Sequence, residues 1–175
     1  MRKAKLTAFC GMMVALSVVL MAIVTVLPVL MYVLPVVTGL IVLVVADVGS
    51  KKWALSVFFA TSILSLLLLT DKESVLTYIL FFGYYPLIRE RLSRLPKAVF
   101  VALKLALFNC AAILTGVAGV VLLGVPKEEY TEFGGFTIPL LLVLANVVFV
   151  LYDSILVKYN ILFSALSYKL KKMLK

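Results

Sequence analysis

At 175 residues, 65% of them hydrophobic and with a mean hydropathy of +1.21, the chain is too apolar for a water-soluble domain, whose apolar share is about 45–50%. Its 17 Lys and Arg against 8 Asp and Glu give a formal charge of +9, but the basic residues flank apolar stretches, so anionic lipid headgroups account for them and nucleic acid is not expected. With no His and only Cys10 and Cys110, the commonest general base is missing, as is any Cys-x-x-Cys redox or zinc centre, and no metal or cofactor is expected.

Six apolar stretches follow one another, divided by short polar connectors. The first runs from Leu6 to Leu27 and stops at Pro28; no small-x-small cleavage site marks it as a removable signal peptide. The second, Pro35 to Gly49, ends in Gly49-Ser50-Lys51-Lys52, and Trp53 opens the third as an interfacial anchor, ending at Thr70-Asp71-Lys72-Glu73-Ser74. The fourth, Val75 to Ile88, is rich in aromatics before Pro86. The fifth, Ala98 to Gly124, follows Pro96, and the sixth takes Phe136 to Val157 after the longest connector. From Tyr159 the apolar residues Leu162, Leu166, Leu170 and Met173 recur at helical spacing beside Lys171, Lys172 and Lys175, the pattern of an amphipathic surface helix. The expectation is an all-α bundle of six transmembrane helices over residues 1–158, with a basic cytoplasmic tail over 159–175.

The charges orient it. Arg2, Lys3, Lys5, Lys51, Lys52, Arg89, Arg91, Arg94, Lys97, Lys158, Lys169, Lys171, Lys172 and Lys175 all fall on one side. Lys72 and Lys127 fall on the other, outnumbered by Asp71, Glu73, Glu128, Glu129 and Glu132. Cytoplasmic loops keep the excess of Lys and Arg, so a multi-pass cell-membrane protein with both termini cytoplasmic is expected.

Ala4, Ala8, Gly11, Ala15 and Ala22 form one stripe on the first helix, where small residues permit close helix approach. The stripe serves packing inside the bundle or docking of another membrane subunit. Lys104 lies about 10 Å beyond Lys97 and Asp153 about 8 Å before Lys158, so antiparallel helices bring them level as a structural ion pair, with Asp47 as a competing partner for Lys104. Asn109 and Asn146 each lie about 18 Å from their cytoplasmic anchors. They tie two helices together or orient a ligand in an apolar pocket. Tyr78, Phe81, Phe82 and Tyr85 share a helical face on which a flat ligand would stack, or Tyr84 and Tyr85 form only an aromatic belt at the inner boundary, and Glu128 and Glu132 belong to a solvated run or to a lid favouring a cationic or hydrogen-bond-donating ligand.

Enzyme signatures are missing from the sequence. It has no Walker A loop, no Gly-x-Ser-x-Gly elbow and no His-Glu-x-x-His helix, so no catalytic residue is assigned.

Six short spans, both ends inside and the small-residue face of Lys5-Leu6-Thr7-Ala8-Phe9-Cys10-Gly11-Met12-Met13-Val14-Ala15 together resemble the substrate-binding S components of energy-coupling factor (ECF) transporters. Ala4-x-x-x-Ala8 and Gly11-x-x-x-Ala15 match that family's docking face, with Gly in place of one Ala. The resemblance implies uptake of a small, vitamin-like molecule, energised by a membrane-embedded coupling subunit and its ATPases. Independently of the resemblance, spans 4 to 6 supply the mostly apolar lining with a few polar groups that a ligand pocket needs, so the expected site is Tyr78, Phe82, Asn109 and Asn146 in the outer half of the bundle, under a lid from Lys127 to Glu132 carrying Glu128 and Glu132. The connector Pro28-Val29-Leu30-Met31-Tyr32-Val33-Leu34-Pro35 departs from the family in being short and uncharged. The alternative is a non-transporting accessory or assembly protein that docks a partner through the same helix, with a lipid-modifying enzyme as a third option.

Overall fold

The computed structural model describes residues 2–122, 124 and 136–174, and every regular element among them is helical. α1 spans Arg2–Ala22, α2 Val33–Val48 and α3 Lys51–Leu68. α4, Lys72–Thr77, is continued by a π turn at Tyr78–Phe82 and then by α5, Tyr85–Leu92; α6 is Lys97–Leu122 and α7 Thr137–Leu174. α1, α3, α6 and α7 are long and apolar enough to cross a membrane, whereas α2 is apolar but shorter and the 72–92 segment is broken midway.

The breaks have local causes. After Ala22 the chain turns through two 3₁₀ segments, Ile23–Thr25 and Pro28–Leu30, the second started by a proline whose fixed φ suits a first turn. The ammonium of Lys72 donates to the carbonyls of Leu66 and Leu69, satisfying acceptors that the end of α3 leaves open. Beyond α6, Gly124 takes a left-handed φ of +69°, which glycine tolerates.

Two cores share α2. One joins α1, α2 and α3 through residues such as Val14, Met21, Val42, Val45 and Phe58. The other joins the π turn, α5, α6 and α7 through Phe81, Phe82, Tyr85, Phe108, Phe149 and Tyr152, with Val36 of α2 packed in it. A helix between two cores must be apolar on opposite faces, as α2 is along Val33–Ala46, where Thr38 alone is polar and donates to the Leu34 carbonyl. Outward faces are apolar as well: Phe59, Ile63 and Leu67 on α3 and Val143, Val147 and Val150 on α7 are all exposed. Such faces suit hydrocarbon rather than water.

The π turn decides where the aromatics point. The Gly83 N–H donates to the Tyr78 carbonyl five residues back, at 2.8 Å, so the helix is locally underwound. Tyr78 consequently packs on Phe58 of α3, while Phe81, Phe82 and Tyr85 enter the second core. The single aromatic face expected from regular helical spacing is therefore divided. Gly39 of α2 allows the π turn to come close, since a Cβ there would lie 2.3 Å from the Phe82 carbonyl oxygen. That same carbonyl accepts a bond from the Tyr152 hydroxyl at 3.2 Å.

α7 runs unbroken through Lys158, so the expected junction between a last span and a separate tail is not a helix boundary. Its 38 residues measure about 57 Å, more than a hydrocarbon core of about 30 Å. Near its end Leu170 packs against the first core, and Lys171 Nζ lies 2.8 Å from Asp47 at the end of α2. Asp47 thus holds Lys171 rather than Lys104.

Candidate functional site

Beside the second core lies a cleft of about 690 Å³ walled by the π turn, α6 and α7. Its walls are apolar, with Phe81, Phe82 and Phe108 on one side and Val120, Leu141 and Ala145 on others. Its polar groups are few: Thr115 on α6, whose hydroxyl donates to the Ala111 carbonyl at 3.0 Å, and, at the end away from the basic connectors, Tyr32, Glu73 and Thr77. The Thr77 hydroxyl donates to the Glu73 carbonyl at 2.9 Å. Burial pushes the Tyr32 phenol pKa up, and the Glu73 and Asp71 carboxylates push it the same way, so Tyr32 remains a neutral hydrogen-bond donor at neutral pH. Gly116 also lines the cleft, and a Cβ there would meet nothing within 4 Å.

Of the expected ligand residues, Phe82 lines this cleft. Tyr78 does not: its ring centroid is 5.7 Å from that of Phe58, on the side of α3. Asn109 and Asn146 bond to each other, at 3.1 and 2.9 Å, and do not line the cleft. They clasp α6 to α7, and outward of the clasp the two helices supply walls as far as Val121 and Ile138. Glu128 and Glu132, with the rest of the expected lid, lie outside the described residues.

The stripe on α1 faces outward. Ala4, Ala8, Gly11 and Ala15 are all exposed, and a Cβ on Gly11 would meet nothing within 4 Å. Packing within this bundle therefore does not account for those four positions; only Ala22, half-buried, packs against the first core.

Near the basic connectors Lys104 Nζ is 2.7 Å from Asp153 Oδ2. Arg89 Nε lies 2.6 Å from Oδ1 of the same carboxylate, and the Tyr85 hydroxyl donates to that oxygen at 2.9 Å. Arg89 reads in sequence as a loop charge, yet Tyr85 and Arg89 are four residues apart and so share a helical face. That spacing is the signal that it belongs with Asp153. The cleft's outer residues carry a weaker signal, because Tyr32 comes from the connector before α2 and Glu73 and Thr77 from α4, two segments whose approach only folding establishes. Among the described residues no cluster of His, Cys, Asp and Glu could hold a metal ion.

No protein-family model, curated protein or solved structure matches this chain.

Proposed function

We propose that the chain is a six-span integral membrane subunit of the cell membrane, with both termini cytoplasmic, that takes up a small molecule from the outer side and passes it to an ATP-driven partner complex, in the manner of ECF S components. The observation that carries this reading is the cleft of about 690 Å³. Small-molecule pockets are mostly apolar, measure about 300–1,000 Å³ and use a few polar groups to fix orientation. Here the ligand has an apolar body against Phe81, Phe82 and Phe108, and a cationic or hydrogen-bond-donating group that reaches Tyr32, Glu73 and Thr77. Counting the short α2 and the interrupted 72–92 segment as spans brings the number to six, and the basic connectors assign the cytoplasmic side. The end of α7 then lies along the inner headgroups as an amphipathic helix. With no nucleotide-binding loop in the sequence, energy comes from separate ATPases through a membrane-embedded coupling subunit that docks on α1.

A second reading, favoured by the outward stripe, is a non-transporting accessory or assembly protein that uses Ala4, Ala8, Gly11 and Ala15 to hold a partner. Affinity purification in mild detergent, with identification of both subunits and small molecules, separates the two. Coupling ATPases with a bound small molecule support the first; an unrelated membrane partner without a ligand supports the second.

A further inference from the structure

The cluster around Asp153 does not balance its own charge. Arg89 and Lys104 converge on a single carboxylate, and among the described residues neither cation has a second acidic partner. Arg89 commits Nε, and Lys104 one ammonium proton, to the same carboxylate, and the Tyr85 hydroxyl beside the guanidinium is an uncharged group that adds no balancing charge. The side chains are held deep, with 18% of Arg89, 16% of Lys104 and 8% of Asp153 exposed. Both cations also lie over the Phe100 ring, at 5.8 and 5.1 Å from its centroid, so an apolar surface backs them. A net charge of one held in low dielectric is costly until an anion joins it. The small exposed fractions of Arg89 and Lys104 are where one can reach.

We propose that Arg89 and Lys104, held together by Asp153, form a binding site for one phosphate group, supplied by an anionic phospholipid headgroup at the basic end of the bundle. The guanidinium fork suits bidentate contact with phosphate oxygens, and the ammonium supplies a point charge beside it. Lys104 lies about 10 Å along α6 from Lys97, so an acyl chain from a headgroup at this level can run along the exposed apolar faces of the bundle. This site lies apart from the cleft, and it stands whether or not the chain carries a substrate.

The test uses the full chain in detergent with phosphatidylglycerol, phosphatidylcholine or inorganic phosphate added, read by native mass spectrometry and thermal melting. Lys104→Met keeps the neutral Arg89–Asp153 pair and its Tyr85 bond, so the fold persists while the excess charge is removed. Lys97→Met removes an exposed charge at the same end and serves as control. The expected result is that the wild type retains phosphatidylglycerol over phosphatidylcholine. Lys104→Met should lower that affinity by about tenfold or more, and Lys97→Met should change it little. Stabilisation by inorganic phosphate that is equally lost in Lys104→Met would assign the site to the free ion and overturn the lipid source. Equal losses in the two variants, or no preference for phosphatidylglycerol in the wild type, would mean only diffuse attraction and overturn the site. Should Lys104→Met fail to fold, Arg89→Lys, which keeps the charge but loses the fork, decides: unchanged affinity would overturn the proposed geometry.

Discussion

The carboxamides of Asn109 and Asn146 donate to each other's oxygens, and each sends its second N–H to the carbonyl four residues earlier, of Leu105 at 2.8 Å and Leu142 at 2.7 Å. All four amide protons are thus committed within α6 and α7. Replacing either residue with Leu should lower stability by about 1–2 kcal/mol, because the survivor keeps a polar group without its partner. The double variant should cost less than the two singles added together. Melting of the three variants checks this, and an additive double would mean that the pair is not coupled.

Gly39 and Gly11 should respond in opposite ways. Gly39→Ala drives a methyl against the Phe82 carbonyl oxygen, a backbone atom that cannot swing aside, and should cost about 1–3 kcal/mol or more. Gly11→Leu meets open space inside α1 and should leave the melting of the isolated protein unchanged or slightly raised. If α1 docks a partner, the same Gly11→Leu should abolish co-purification of that partner.

The Asp153 cluster should be asymmetric under mutation. Asp153→Leu strands Arg89 and Lys104 without their shared counter-ion and should cost about 3–5 kcal/mol. Lys104→Met leaves a neutral Arg89–Asp153 pair and should cost much less. Chemical denaturation of the two variants side by side gives the comparison; equal losses would show that the ammonium is as necessary as the carboxylate.

Glu90 provides a pH-dependent contact at the surface. Its carboxylate accepts a bond from Lys51 at 2.7 Å, and that bond holds its pKa below the ordinary glutamate range, with help from the Lys51, Arg94 and Arg91 charges. A depressed folded-state pKa contributes stability above the unfolded-state pKa and loses it as pH falls through the folded one. Wild type should therefore melt slightly above Glu90→Gln at neutral pH and match it in acid below the glutamate range. High salt should narrow the neutral-pH gap, since the pair is exposed.

Filling the cleft should abolish any small-molecule binding there without harming the fold. Gly116→Phe projects into space where a Cβ meets nothing, and replacing a helical glycine recovers up to about 1 kcal/mol of helix propensity. Melting should hold or rise, while any small molecule that co-purifies with the wild type should be lost. Retention of that molecule by Gly116→Phe would place its site elsewhere.

Depth was legible in the sequence; azimuth was not. The apolar runs set where α1, α3, α6 and α7 lie, and a rise of about 1.5 Å per residue puts Asn109 level with Asn146 and Lys104 near Asp153 before any packing is known. These are translations along an axis, which composition and spacing determine locally. Rotation about that axis depends on what packs against each helix. The π-helical hydrogen bond from the Gly83 N–H to the Tyr78 carbonyl turned Tyr78 towards Phe58 and left Phe82 on the cleft, a division that regular helical spacing hides. Tertiary packing likewise left Ala4, Ala8, Gly11 and Ala15 facing outward and brought Arg89 to Asp153. The cleft itself has no local signature, because Tyr32, Glu73 and Gly116 become neighbours of one space only when three distant segments fold around it.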